Sequence, residues 1–184
     1  MIFTYDNNGM PIQANERVQN IADPFDFVAG FLDPVMVPGP GFIYDITASD
    51  YLKLFNCMGV LGSGDDCPTV KGSLDDLNLP SITIPNLRTP RTVTRTVTNV
   101  GQVNVMYKAF FQVPTGVEMV VEPPVFVFNK DRRVQSFRIT FKATWKVQGD
   151  YRFGSLAWHD GGSYWVQIPI AVRIVIQEIY SKIS

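Results

Sequence analysis

The chain has 184 residues, of which 46% are hydrophobic and 12% aromatic, and its formal charge is −1. This composition is typical of one folded domain, with or without an appendage, and excludes the intrinsically disordered class. The balanced charge excludes a basic surface of the kind that binds nucleic acid or an anionic membrane. No apolar run approaches the roughly 20 residues that span a bilayer.

The N-terminal residues contain neither a basic region nor an apolar stretch, so they do not resemble a secretory signal. We therefore expect either a cytoplasmic protein or a chain whose parent protein begins earlier. The two cysteines, Cys57 and Cys67, form either a small-loop disulfide or two free thiols, depending on the redox compartment. With one distant histidine and no further cysteine, we expect no zinc site, and nothing in the chain indicates another cofactor.

Residues 1–45 are predicted to be irregular, because recurring prolines and glycines interrupt any long helix or strand. The segment is nevertheless rich in apolar side chains, which are Phe25, Phe27, Phe31, Leu32, Val35, Met36, Val37, Phe42, Ile43 and Tyr44. Irregular but apolar backbone usually packs against a larger body. We expect this segment to fold onto the rest of the chain, to pair with another copy or to meet a partner.

One helix is predicted over residues 47–59. Thr47 is placed as its N-cap with Asp50 three residues later, and Gly59 suits the position just after its end. An apolar face then follows at helical spacing, formed by Tyr51, Leu54, Phe55 and Met58. A loop rich in glycine, aspartate and serine and a short linker connect this helix to residue 82.

From Ile82 onward the pattern is that of β-strands. Seven short strands are predicted by alternating apolar and polar residues between turn signals, and they begin near residues 91, 105, 117, 125, 136, 151 and 166. The last two form a hairpin around Asp160-Gly161-Gly162, with alternate residues from Val166 to Ile176 on its apolar face. This count predicts a mainly β fold, a fibronectin III-like or immunoglobulin-like sandwich.

Candidate catalytic and metal-binding residues are weak. His159 and Asp160 lie in the hairpin turn near Ser155 and Ser163, but an exposed turn offers no oxyanion hole and no buried carboxylate. Two groups of aspartates lack the ligand spacing of a calcium loop, so caps and turns are expected to use them. They are Asp23, Asp26, Asp33, Asp45 and Asp50, and Asp65, Asp66, Asp75 and Asp76. Cys57 has no nearby histidine and is expected to be structural.

The aromatic residues of the hairpin allow two interpretations. They are either core and cross-strand pairs or a surface patch that binds carbohydrate or protein. The residues concerned are Tyr151, Phe153, Trp158, Tyr164 and Trp165.

Several segments together match one known pattern. They are Asp23-Pro24-Phe25-Asp26-Phe27, Pro40-Gly41-Phe42-Ile43-Tyr44-Asp45, Asp50-Tyr51-Leu52, Asp76-Leu77-Asn78-Leu79-Pro80-Ser81-Ile82, Thr96-Val97-Thr98-Asn99-Val100-Gly101, Gly149-Asp150-Tyr151-Arg152-Phe153-Gly154-Ser155-Leu156 and Ile168-Pro169-Ile170-Ala171-Val172. The chain resembles the C-terminal region of plant subtilisin-like serine proteases of the cucumisin type. The resemblance implies that residues 1–80 are the end of the protease's catalytic domain and that residues 81–184 are its fibronectin III-like domain.

The resemblance also has consequences for activity. The family's catalytic Asp, His and Ser match no residue of this chain, so we expect no enzymatic activity from it. Family members are secreted to the apoplast, which implies a Cys57–Cys67 disulfide.

Three hypotheses follow. The first is a truncated, non-catalytic subtilase-like protein that acts by contact with a protein partner or by self-association through its apolar N-terminal segment. The second is a fragment of a secreted serine endopeptidase, and the third is a carbohydrate-binding sandwich. The expected contact surface comprises Phe25, Phe27, Phe31, Leu32, Val35, Met36, Phe42, Trp158 and Trp165.

Overall fold

The computed structural model describes residues 22–27, 41–57, 74–145, 149–162 and 164–176. Two α-helices, a 3₁₀ turn at Leu74–Asp76 and nine strands lie within these residues. The helices are α1 (Pro24–Phe27) and α2 (Ala48–Cys57). The strands are β1 (Phe42–Ile43), β2 (Ile82–Leu87), β3 (Arg91–Asn99), β4 (Val105–Gln112), β5 (Val117–Glu122), β6 (Val125–Phe128), β7 (Val134–Ala143), β8 (Arg152–His159) and β9 (Trp165–Ile174).

The strands form a sandwich of two sheets. One sheet has the order β1-β3-β7-β5 and the other β2-β9-β8-β4-β6. Their pairings are antiparallel, except that β2 runs parallel to β9. The predicted sandwich is confirmed, and β1 and β2 extend it beyond the seven strands predicted from periodicity.

The core lies between the sheets because the apolar residues of each strand alternate with polar ones. In β5 and β7, Val117, Met119 and Val121 face inward beside Phe137, Ile139 and Phe141. The same alternation in β9 buries Ile168, Ile170, Val172 and Ile174, as predicted for this arm of the hairpin. At the turn, the Asp160 carboxylate accepts hydrogen bonds from the backbone N–H groups of Gly162 (2.8 Å) and Tyr164 (3.1 Å).

Phe42 corrects one prediction. It was expected on a contact surface, but β1 pairs with the end of β3, opposite Asn99, and delivers the Phe42 ring into the core. There its ring centroid lies 5.0 Å from that of Tyr107 and 6.4 Å from that of Trp158. The sandwich therefore takes core residues from before the predicted domain boundary at residue 80.

Trp158 corrects a second prediction. It is fully buried, and its ring stacks on Phe126 with centroids 4.2 Å apart. It faces inward because β8 pairs with β9 so that Trp158 lies opposite Val166, on the side of the sheet that carries Ile168. A fully buried indole is not available to a partner or a glycan.

A buried arginine fixes the linker to the sandwich. Arg95 lies on the inward-facing side of β3, where its guanidinium donates hydrogen bonds to the carbonyl oxygens of Asp75 (2.7 Å), Ser81 (3.0 Å) and Leu79 (3.1 Å). Burial lowers the pKa of Arg95, and the nearby Asp76 opposes that change. The positive charge is thus solvated by backbone dipoles, and the chain before β2 is held against β3.

Helix α2 begins as predicted. The backbone N–H of Thr47 donates to the Asp50 carboxylate (3.1 Å), and the N–H of Asp50 donates back to the Thr47 hydroxyl (3.3 Å). These reciprocal bonds satisfy two N–H groups of the first turn. The helix is described to Cys57, and its predicted end at Gly59 lies outside the described residues.

Candidate interaction surface

Six apolar or aromatic side chains share the outer face of the five-stranded sheet. We call this surface the outer patch. Its members come from the neighbouring strands β6, β4, β8 and β9, and they are Met106, Phe110, Val125, Val127, His159 and Trp165. Cross-strand register brings them together: Met106 lies opposite Val127, and His159 lies opposite Trp165.

The centre of the outer patch is an aromatic stack. The rings of His159 and Trp165 are nearly parallel (18°), with centroids 4.0 Å apart. The ring of Phe110 lies 5.5 Å from Trp165 and 6.1 Å from His159. Contacts of this kind between neighbouring strands fix the rings, so the patch is held in shape without a partner.

The outer patch remains accessible to solvent. The relative exposure is 49% for Phe110, 46% for Trp165 and 55% for Val127. Scattered apolar residues are common on protein surfaces, whereas a contiguous patch on a rigid sheet typically marks a protein interface. Lys108, exposed between Val125 and His159 on the same face, supplies one positive charge.

The hairpin turn contains His159 and Asp160, for which the sequence predicted no catalytic role. His159 Nε2 lies 3.2 Å from the carbonyl oxygen of Gly162, and the Asp160 carboxylate is used by the turn. Ser155 lies opposite Pro169, in the middle of β8, and Ser163 lies outside the described residues. His159 and Asp160 therefore do not form a Ser-His-Asp arrangement with Ser155, and nothing is concluded for Ser163.

Beneath this turn, on the inner side of β4, the Tyr107 ring is buried. Burial raises the pKa of the Tyr107 phenol to about 12, and the charge of Asp160 acts in the same direction. The phenol is thus neutral under physiological conditions and belongs to the core. Burial likewise raises the pKa of Tyr44 well above its usual range.

The N-terminal segment reaches the opposite end of the same outer face. Phe25 of α1 packs edge-on against Tyr151 (4.9 Å between ring centroids) and Phe153 (5.4 Å). Half of the Phe25 side chain remains exposed. This contact agrees with the expectation that part of the apolar segment folds onto the sandwich.

Helix α2 carries a second apolar surface, which we call the helix stripe. It consists of Tyr51, Leu52 and Phe55, and all three are exposed. The rings of Tyr51 and Phe55 stack one turn apart, with centroids 6.5 Å from each other. An amphipathic helix with an exposed apolar side has a surface suited to contact with another body.

The predicted contact residues thus separate into groups. Phe25 and Trp165 are exposed and lie at opposite ends of the outer face, whereas Phe42 and Trp158 are buried in the core. Phe27 ends α1, and Phe31, Leu32, Val35 and Met36 lie outside the described residues. Cys67 also lies outside them, so the Cys57–Cys67 disulfide stays a prediction.

Four members of the outer patch were missed by sequence reasoning: Met106, Phe110, Val125 and Val127. The alternation along β4, which turns Tyr107 and Ala109 to one face, also places Met106 and Phe110 on the other. This signal was available in the sequence. Which of the two faces lies outward could not be read from it, because both faces of β4 carry large apolar groups.

Two further observations concern the described residues alone. Among them, no group of three or more His, Cys, Asp or Glu side chains is arranged to hold a metal ion. No helix in the described ranges is long and apolar enough to cross a membrane.

The profile of the fibronectin type-III domain matches residues 76–172, which span strands β2 to β8 and most of β9. The chain belongs to the fibronectin type-III domain family. It is also 44% identical over 95% of its length to the subtilisin-like protease SBT3.9 of Arabidopsis thaliana, and 42% identical over 92% to SBT3.11 of the same plant. The resemblance to plant subtilisin-like proteases is therefore confirmed.

The chain spans about a quarter (24%) of the length of these curated relatives. The match includes their fibronectin-like region, and the assignment of residues 1–80 to the end of a catalytic domain stays a prediction. Among solved structures, the chain is similar to a PapD-like domain of human CEP192, with 16% identity, a TM-score of 0.42 and coverage of 54% of this chain and 83% of that one. A score this low supports no inference about function.

Proposed function

We propose that this chain is the non-catalytic, protein-binding module of a subtilisin-like protease, and that its partner is the catalytic part of such a protease. The observation that carries the proposal is the outer patch. The sheet presents a contiguous apolar surface, which consists of aliphatic side chains on two strands and an aromatic stack. Removing such a surface from water is energetically favourable.

The relatives support this choice of partner. In them a fibronectin-like region of this kind belongs to a polypeptide of which about three quarters lies outside the match. The resemblance places the catalytic part on the N-terminal side of this region. Here α1 lies on the outer face of the five-stranded sheet, and α2 exposes the helix stripe. A partner that contacts α1 and α2 therefore meets exposed apolar side chains on both helices.

The carbohydrate-binding alternative loses part of its basis. Trp158 is buried in the core, and one face of the Trp165 ring is covered by His159 at 4.0 Å. Sugar rings stack on open aromatic faces, so Trp165 has at most one face to offer. Self-association remains an outcome that the following experiment distinguishes from the proposal.

The test is a calorimetric titration of the full chain with the separately produced catalytic part of the SBT3.9 relative. The variant Phe110→Ser combined with Trp165→Ser is expected to bind at least about 30-fold more weakly, because hot-spot residues contribute about 2 kcal/mol or more. Val120→Ser combined with Val134→Ser is the matched control. These two valines are exposed on the other sheet, and binding by this variant is expected to stay within about twofold.

Three results would contradict the proposal. The wild-type chain does not bind the catalytic part, or the control variant weakens binding as much as the Phe110/Trp165 variant does. The third result is that light scattering shows a dimer for the wild-type chain and a monomer for the Phe110/Trp165 variant. That result would assign the outer patch to self-association. Thermal melts of both variants establish that the fold is intact.

A further inference from the structure

Two neighbouring clefts lie at the end of the five-stranded sheet opposite Trp165. The larger, which we call the polar cleft, has a volume of about 440 Å³ and is lined by Asn86, Arg88, Gly149, Asp150, Arg173 and Val175. The smaller, the apolar cleft, has about 100 Å³ and is lined by Thr115, Trp145, Gly149, Asp150, Arg152 and Ile174. Gly149 and Asp150 form a wall common to both.

Each of the two arginines of the polar cleft makes one hydrogen bond through its Nε atom to a described residue. Arg173 Nε donates to the carbonyl oxygen of Pro85 (2.8 Å), and its guanidinium lies over the Tyr151 ring, 5.4 Å from the centroid. Arg88 Nε donates to the side-chain oxygen of Asn86 (2.8 Å). In both cases the hydrogen bond is donated by Nε and does not use the two terminal nitrogens of the guanidinium.

Among the described residues, neither guanidinium has a carboxylate partner. Asp150 lines the same cleft, but the ion pairs found join other residues, Arg91 to Asp75 and Lys142 to Glu118. Two guanidinium groups whose terminal N–H groups have no partner among the described residues suit a carboxylate, which accepts two parallel hydrogen bonds from such a group. Exposed pairs of this kind have modest affinity, so further contacts are needed for selectivity.

The apolar cleft supplies such a contact. Its volume is close to that of one aliphatic side chain, and the half-exposed Trp145 forms part of its lining. Asp150, on the shared wall, has a carboxylate that can accept a hydrogen bond from a peptide N–H group. A carboxylate, a neighbouring aliphatic side chain and an N–H donor between them are features of a peptide.

We propose that this end of the sandwich binds an acidic peptide segment in which Glu or Asp adjoins an aliphatic residue. The acidic side chain lies in the polar cleft against Arg88 and Arg173, and the aliphatic side chain lies in the apolar cleft beside Trp145. The site is separate from the outer patch, because Arg173 and Trp165 lie at opposite ends of β9.

Fluorescence anisotropy with a fluorescein-labelled Gly-Leu-Glu-Gly amide tests the proposal on the full chain. Saturable binding is expected, and Arg88→Gln and Arg173→Gln are each expected to weaken it at least tenfold. Arg88→Lys keeps the charge but loses the fork and is expected to give an intermediate loss. Arg138→Gln is the matched control, since it removes an exposed arginine from the other sheet and is expected to leave binding within twofold.

The peptide assignment has its own controls. Replacing Glu by Gln in the peptide, or Leu by Gly, is expected to reduce affinity, and Trp145→Ala is expected to remove the preference for Leu over Gly. The proposal is overturned if the Gln peptide binds as tightly as the Glu peptide. It is also overturned if inorganic phosphate displaces the peptide at equal concentration, which would indicate a general anion site. Because Arg173 also contacts Tyr151, thermal melts accompany each variant.

Discussion

The two faces of the five-stranded sheet carry aromatic residues from the same strands, yet they have different roles. On the inner face Trp158 is fully buried against Phe126, whereas on the outer face its neighbour His159 stacks on the exposed Trp165. One step along β8 thus separates a residue that stabilises the fold from one that is available to a partner. The comparison shows that aromatic content does not define a surface until the register is known.

The largest expected effect is on the inner face. Trp158→Ala is expected to lower the free energy of unfolding by about 3–5 kcal/mol, since it leaves a cavity among buried rings. Trp165→Ala is expected to cost about 1 kcal/mol or less, because its ring is half exposed and loses only stacking contacts. Urea denaturation of both variants measures the difference. Equal losses would mean that the two faces do not differ as described.

The same contrast applies to charge in the other sheet. Arg95→Met is expected to destabilise the fold by about 3 kcal/mol, because it leaves the carbonyl oxygens of Asp75, Leu79 and Ser81 without their donor. Arg138→Met, on the exposed face of neighbouring β7, is expected to change stability by about 0.5 kcal/mol at most. If the two substitutions have the same effect in urea melts, the buried guanidinium does not hold the linker.

A smaller effect tests how closely β8 approaches β4. A Cβ atom at Gly154 would lie 2.3 Å from the carbonyl oxygen of Gln112, so Gly154→Ala is expected to cost about 1–3 kcal/mol. At Gly161 a Cβ atom meets nothing within 4 Å, and Gly161→Ala is expected to cost about 1 kcal/mol through its positive φ of 84° alone. Thermal melts compare the stability losses of the two variants. A larger loss for Gly161→Ala would contradict the close approach of β8 to β4 at Gly154.

The smallest effect concerns alkaline pH. Burial raises the pKa of Tyr107 to about 12, above its usual value of 10. A phenol with a raised pKa contributes stability that is fully present below pH 10 and is lost as the pH rises towards 12. The wild-type chain is therefore expected to lose stability over that range, and Tyr107→Phe is expected to lose less. A pH series of urea melts measures this, and a difference between the two that does not vary with pH would disprove it.

Sequence reasoning predicted the sandwich because alternation is strong in β3, β5, β7 and β9. Phe42 could not be placed, since β1 has two residues and no period, and its partner Asn99 lies more than fifty positions later. The burial of Arg95 could have been predicted from the sequence. It shares the parity of Val93 and Val97 in β3, and a charge on an apolar face indicates a buried group with its hydrogen bonds satisfied.

The candidate surface was predictable only in part. Extending the alternation of β9 back by one residue places Trp165 on the side of Gln167, and folding the hairpin at Gly161 places Trp158 opposite Val166. That reasoning separates the two tryptophans without a structure. The polar cleft could not be found in this way, because Arg88, Asp150 and Arg173 meet only after β2 has paired with β9.

Fluorine NMR of the chain labelled with 5-fluorotryptophan tests the central claim most directly, because the three tryptophans lie in the core, on the outer patch and at the apolar cleft. On addition of the catalytic part of a subtilisin-like protease, we predict that the Trp165 resonance shifts or broadens while those of Trp158 and Trp145 stay unchanged. Binding that leaves the Trp165 resonance unmoved would contradict the account.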